Sequence, residues 1–108
     1  VHPVAEAVAG GELERGIVLG GSGNGEAMAA IRVRGARCAL CWNPDSACLG
    51  RQHNDANVIA IGARMHSQEE ALEMVRLFLT TPFSGDPRHA RRIGLLADYE
   101  KARPTANA

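Results

Sequence analysis

Residues 16–26, Gly16-Ile17-Val18-Leu19-Gly20-Gly21-Ser22-Gly23-Asn24-Gly25-Glu26, carry a short apolar run into a glycine-rich turn and on into an alanine-rich segment. The pattern reads as strand, loop, helix. Ile17, Val18 and Leu19 form a brief continuous apolar run, the signature of a strand buried on both faces in a parallel sheet. Gly20, Gly21, Gly23 and Gly25 permit positive φ angles and close approach to the backbone. The amides of Ser22, Gly23 and Asn24 can then turn into one concavity. At a helix N-terminus such a concavity favours an anion, whether a phosphate or an oxyanion formed during a reaction. Glu26 adds a carboxylate beside that concavity. Taken alone, the motif leaves two roles open for it: a complement to the helix dipole, or a base that removes a proton next to a carbonyl while the amides hold the resulting enediolate.

The remaining segments repeat the alternation. Upstream, residues 3–9 read as a short helix, with Pro3 in its first turn and Gly10-Gly11 ending it. Downstream, a helix over residues 25–32, with Ala27, Met28, Ala29 and Ala30 against the sheet, is broken by Gly35. A second strand over residues 36–42 ends in Asn43-Pro44-Asp45, and a helical segment runs on to His53-Asn54-Asp55. Residues 57–62 give a third buried strand, whose end delivers Ala63-Arg64. Ser67-Gln68-Glu69-Glu70 is a capping box. Behind it Ala71, Met74, Val75, Phe78 and Leu79 recur at the spacing of one helix face, which predicts a core stripe ended by Pro82. Asp86 and Pro87 open a last helix as cap and first helical residue, and residues 103–108 read as a frayed tail. Strands alternating with helices imply a Rossmann-like αβα sandwich around a parallel sheet. The loops at the carboxyl ends of the strands, Ser22 to Glu26, Asn43 to Asp45, and Arg64, should converge there on a ligand. Three strands leave the first with an unpaired edge, and a strand looks to be missing at the front.

Composition narrows the partners. The 108 residues carry no formal net charge, with 22% charged and 45% hydrophobic residues, so no global charge attracts nucleic acid or an anionic membrane. No apolar run approaches the roughly 18 residues of a membrane span, and the first residues lack a signal-peptide pattern, which makes the cytoplasm the expected location. Lys101 is the single lysine beside eleven arginines, and the planar guanidinium suits bidentate contact with phosphate. Cys38, Cys41 and Cys48 do not form a disulfide scaffold. Cys38 and Cys41, three apart on a strand, point to opposite faces and read as small buried hydrophobes rather than a shared metal site.

GIVLGGSGNGEAMAA, RQHNDANVIAIGAR and RHARRI, in that order and register, resemble the ribose-5-phosphate isomerase B family, which also contains galactose-6-phosphate isomerase subunits. The likeness runs from His2-Pro3 to Tyr99. It implies a single domain that interconverts an aldose phosphate and a ketose phosphate through a cis-enediolate, without metal or organic cofactor. One branch of the family uses a cysteine base just before the glycine loop and the other a glutamate just after it. Gly20 stands at the first position and Glu26 at the second, so the chain resembles the glutamate branch.

By this resemblance Glu26 shuttles the proton, the loop Gly21, Ser22, Gly23 and Asn24 stabilises the enediolate, and Ser22 contacts a substrate oxygen. His53 is the acid/base for ring opening, Asn54 contacts a substrate hydroxyl, and Arg64, Arg88 and Arg92 hold the phosphate. Arg88 and Arg92, four apart on one helix face, can meet one dianion. His89 is left without an assigned role, although it could touch the phosphate. The resemblance further implies a homodimer, or a dimer of dimers, with active sites between subunits. Three departures stand out. The chain starts after the family's first strand and Asp-His-Ala-Gly turn, an Asn-Lys pair is replaced by Ile31-Arg32, and an aspartate by Gly94. Ribose 5-phosphate is the leading substrate. The alternatives are a four- or six-carbon sugar phosphate, or a weak or inactive phosphosugar-binding paralogue or fragment. A nucleotide-binding module fits less well, because Cys41-Trp42 stands where a ribose-binding acid belongs.

Overall fold

Three strands, β1 (Gly16–Gly20), β2 (Cys38–Cys41) and β3 (Val58–Gly62), form a parallel sheet in the order β1-β3-β2. This computed structural model describes residues 1–102; the tail expected over residues 103–108 lies outside them. β3 is the central strand and every one of its residues is buried, as its Val-Ile-Ala-Ile run demands. Gly20 and Cys41 pair beside Gly62 and Ile61, so the carboxyl ends of all three strands lie level.

Helices cover both faces. On one face α1 (His2–Ala9) and α2 (Asn24–Ile31) bring Ala5, Val8, Ala27 and Ala30 against Val18, Val58 and Ala60. Alanines here let α2 sit close to the strands. On the other face α3 (Pro44–Asn54) and α4 (Gln68–Thr80) bury Ala47, Met74 and Phe78 against Cys41, Ile59 and Ile61. The result is the αβα sandwich that the alternating pattern implied. Cys38 packs against the first layer and Cys41 within the second. Burial, reinforced by neighbouring cysteines, pushes both thiols up to about 11, so they are neutral thiols at physiological pH.

Three expectations of burial need correction. β1 is not covered on both faces: Val18 is buried, but Ile17 and Leu19 are 39% and 59% exposed. α4 packs over β3 and leaves these two side chains uncovered. This leaves an open cleft of about 370 Å³ lined by Ile17, Leu19, Ile61, Ala71, Leu72 and Val75. The α4 stripe is also narrower than its spacing suggested, because Met74 and Phe78 are fully buried while Leu79 is 52% exposed. Met28 likewise turns outward from α2. Among the described residues no helix is long and apolar enough to cross a membrane.

α5 (Pro87–Ala102) packs mainly on α3 and leaves Leu95, Leu96 and Tyr99 exposed. Behind that junction Arg51 is 3% exposed and fully engaged. Its guanidinium donates to Asp55 Oδ1 at 2.8 Å, to the Ala56 carbonyl at 2.7 Å and to the Thr81 carbonyl at 3.0 Å. Asp55 needs the help, being the one non-glycine residue with positive φ (+46°) among those described. Arg37 grips it from the other side, through the Asp55 carbonyl at 3.0 Å and Oδ2 at 3.4 Å. Arg51→Ala strands the buried Ala56 carbonyl, the part-buried Thr81 carbonyl and one side of the Asp55 turn. It is expected to cost about 2–4 kcal/mol of stability, read as a lower urea midpoint at unchanged m-value.

Candidate active site

The glycine loop is shaped by its contact with the end of β3. The Ala63 amide donates to the Gly20 carbonyl at 2.7 Å and the Arg64 amide to the Gly21 carbonyl at 3.1 Å. These bonds draw the loop across Gly62 so closely that a Cβ there would stand 2.5 Å from the Ser22 carbonyl oxygen. Gly23, the N-cap of α2, has φ +83°, and a Cβ on it would lie 2.8 Å from Leu40 Cδ1 and 3.0 Å from Gly62 N. Here glycine is required by both dihedral and space. Ser22 Oγ accepts the Asn24 amide at 3.3 Å and tightens the turn.

Glu26 lies in the first turn of α2, partly buried, and its carboxylate folds back onto Gly20. Any Cβ at position 20 would overlap that carboxylate. The side-chain space of residue 20 and the carboxylate of residue 26 are therefore one volume. Arg64 completes the group: its Cδ, Nε and Nη1 pass 3.6–3.8 Å from where a Gly21 Cβ would be. Ser22, Asn24 and Arg64 are exposed. A carboxylate, a turn at a helix N-terminus and a guanidinium thus meet at the carboxyl ends of β1 and β3. Such a set can take up a proton and hold an anionic oxygen.

The second group lies elsewhere. The Asn43 side chain caps α3 by accepting the Ser46 amide at 2.7 Å, while Ser46 Oγ accepts the Asn43 amide at 3.2 Å. Asn43 to Asp45 thus lie at the carboxyl end of β2, as expected, with the Asn43 side chain engaged in starting α3. From there α3 runs back along the sheet, and His53 and Asn54 end it beside the turn into β3. His53 is separated from Glu26 by the length of that helix, roughly 15 Å.

His89, buried in the first turn of α5, stacks its ring on His53 with centroids 4.2 Å apart and planes 19° from parallel. Asp86 positions α5 by accepting the Arg88 amide on Oδ1 at 2.8 Å. Arg88 Nη2 in turn lies 3.5 Å from His89 Nε2 and 3.7 Å from Asp86 Oδ2. Arg92 follows one turn later on the same helix and is exposed. Burial first, then the charges of His53 and Arg88, hold His89 below the ordinary histidine range.

The expected site residues thus form two groups. Glu26, Gly21 to Asn24 and Arg64 sit at the carboxyl end of the sheet; His53, Asn54, Arg88 and Arg92 sit at the amino end. Sequence reading missed His89 as the residue that ties α3 to α5, although its place between two arginines of RHARRI was a signal. It also missed Gly20 as the space Glu26 needs.

The chain matches the Ribose/Galactose Isomerase family over residues 1–96. It is 60% identical over 86 residues to ribose-5-phosphate isomerase B of Mycolicibacterium paratuberculosis, covering 80% of this chain and 54% of that protein. It is 42% identical over 100 residues to the Escherichia coli ribose-5-phosphate isomerase B, covering 93% and 66%. The structure superposes on the type B ribose 5-phosphate isomerase of Trypanosoma cruzi with a TM-score of 0.92 at 44% identity, covering 94% of this chain and 67% of that one. On the Mycoplasma genitalium ribose-5-phosphate isomerase B with bound ribulose-5-phosphate the TM-score is 0.89 at 37% identity, covering 94% and 66%. The chain spans about half the length of the mycobacterial relatives it matches.

Proposed function

The chain belongs to the ribose/galactose isomerase family, and from that premise we propose that it interconverts ribose 5-phosphate and ribulose 5-phosphate at a site built between two copies. The observation that carries the reading is the Glu26 carboxylate folded over Gly20 beside the glycine loop. From there it takes the proton from C2 of the open aldose and returns it to C1 of the cis-enediolate. The loop from Gly21 to Asn24 faces the developing oxyanion at the positive end of α2. His53 opens the furanose by moving a proton from the anomeric hydroxyl to the ring oxygen, Asn54 orients a hydroxyl, and Arg64, Arg88 and Arg92 hold the phosphate. No metal or organic cofactor takes part.

Two copies are needed because the groups lie at opposite ends of one sheet. A pentose phosphate is too short to touch Glu26 and His53 of the same chain, but a symmetric pairing can set the carboxyl end of one against the amino end of the other.

The test is conversion of ribose 5-phosphate, beside four- and six-carbon aldose phosphates, by protein made from the whole reading frame. Ribulose 5-phosphate formation with solvent hydrogen exchanged at the transferred position is the expected result. Binding of the sugar phosphates with no turnover of any of them would replace the isomerase with a phosphosugar-binding protein.

A further inference from the structure

His89 is a buried imidazole that the isomerase mechanism does not use. Its Nε2 faces Arg88 Nη2 at 3.5 Å. A guanidinium only donates, so this contact exists only while His89 Nε2 carries no proton. The groups facing His89 are His53 from α3, Arg88 and Arg92 from α5, and Asp86 from the turn before α5. Asp86, itself shared with Arg88, is the only one of these that favours a charged ring. Two imidazolium rings stacked at 4.2 Å would repel each other, and burial penalises charge on His89 further.

We propose that His89 is a proton-linked part of the phosphate site: an anion docking on Arg88 and Arg92 draws Arg88 away from His89 and brings a proton from solvent onto its ring. The inference rests on the isomerase reading for the identity of the anion. Neutralising the two arginines removes their share of what keeps His89 uncharged, leaving burial and the His53 ring for the bound anion to offset. The protonated ring loses Arg88 as a donor and gains the anion as an acceptor. Because linkage is reciprocal, the anion binds more tightly as the pH falls through the histidine range. The stack on His53 fixes where that charge develops and keeps the ring-opening residue in register with the phosphate.

The experiment uses sulfate, a dianion throughout this range that the enzyme cannot turn over. Calorimetry in buffers of different ionisation enthalpy gives both its affinity and the protons taken up. Between about pH 8 and about pH 6 the wild-type affinity is expected to rise about tenfold, with net proton uptake. His89→Phe keeps a flat ring against His53 and should lose both the rise and the uptake. His89→Gln, which also cannot titrate, should do the same if the phenylalanine variant does not fold. A flat wild-type profile, or a rise that survives in either variant, overturns the inference. Because sulfate binding needs no catalysis, the two readings fail separately. Proton-linked binding by a protein that isomerises nothing strikes the isomerase reading alone, and a flat profile in an active enzyme strikes the role of His89 alone.

Discussion

Mixing Glu26→Gln protein with His53→Asn protein is expected to restore isomerase activity that neither variant has alone. Each substitution removes one proton-transfer group, which should lower kcat about 10²–10⁴-fold while leaving the phosphate contacts and KM nearly intact. On the proposed symmetric pairing, each site would take Glu26 from one chain and His53 from the other. A mixed dimer therefore has one site with both residues damaged and one with neither. Random re-association of equal amounts makes about half the dimers mixed, so about a quarter of all sites become intact. Against the near-zero background of either variant, that recovery is large. Native mass spectrometry would establish that mixed dimers have formed. If they form and activity stays at the level of the single variants, Glu26 and His53 do not act from different chains on one substrate.

The expectation comes from topology. A parallel strand, a helix and the next parallel strand form a crossover, and the helix must return to the end of the sheet from which the next strand starts. β2, α3 and β3 are such a unit, so a residue at the end of α3 cannot share a loop cluster with one at the start of α2. This was legible in the order of segments before any coordinates. Reading His53 as a partner of Glu26 and reading α3 as a crossover together already require a second chain.

Other features were legible for equally local reasons. β3 is central and its four consecutive apolar residues could only be buried. The Ser67 and Glu70 capping box fixes the start of α4, and Asp86 with Pro87 fixes that of α5. β1 was misread because an apolar run states what a strand can bury and not which helix arrives to cover it. α4 packs over β3, so Ile17 and Leu19 stay open. The relation between Gly20 and Glu26 was also hidden. The two residues are six apart in sequence, and only the turn of the loop brings the carboxylate back over the glycine. Likewise, RHARRI says that a histidine lies among arginines; the stack of His89 on His53 depends on where α5 meets α3.

Gly62→Ala is expected to damage both folding and activity. The position looks innocuous, an ordinary strand end with φ in the common region. Its constraint comes from the neighbouring loop: a Cβ would stand 2.5 Å from the Ser22 carbonyl oxygen, 2.7 Å from its carbon and 2.9 Å from its Cα. All three are backbone atoms, so no side chain can rotate away. Either β3 slides within the sheet centre or the glycine loop lifts off. The loop is held by the Ala63 and Arg64 amides, and lifting it stretches both bonds. The cost should be about 3 kcal/mol or more, seen as a lowered urea midpoint. In the fraction that still folds, the loop and the N-terminus of α2 are displaced together, carrying Glu26 away from Gly20. A displacement of about 1 Å in such a group is enough for a loss of about 10²-fold in kcat. Gly25→Ala is the matched control, since a Cβ there meets nothing within 4 Å. It should leave stability and turnover close to wild type. Equal losses in the two variants would mean that the contact between loop and strand does not hold the Glu26 carboxylate in place.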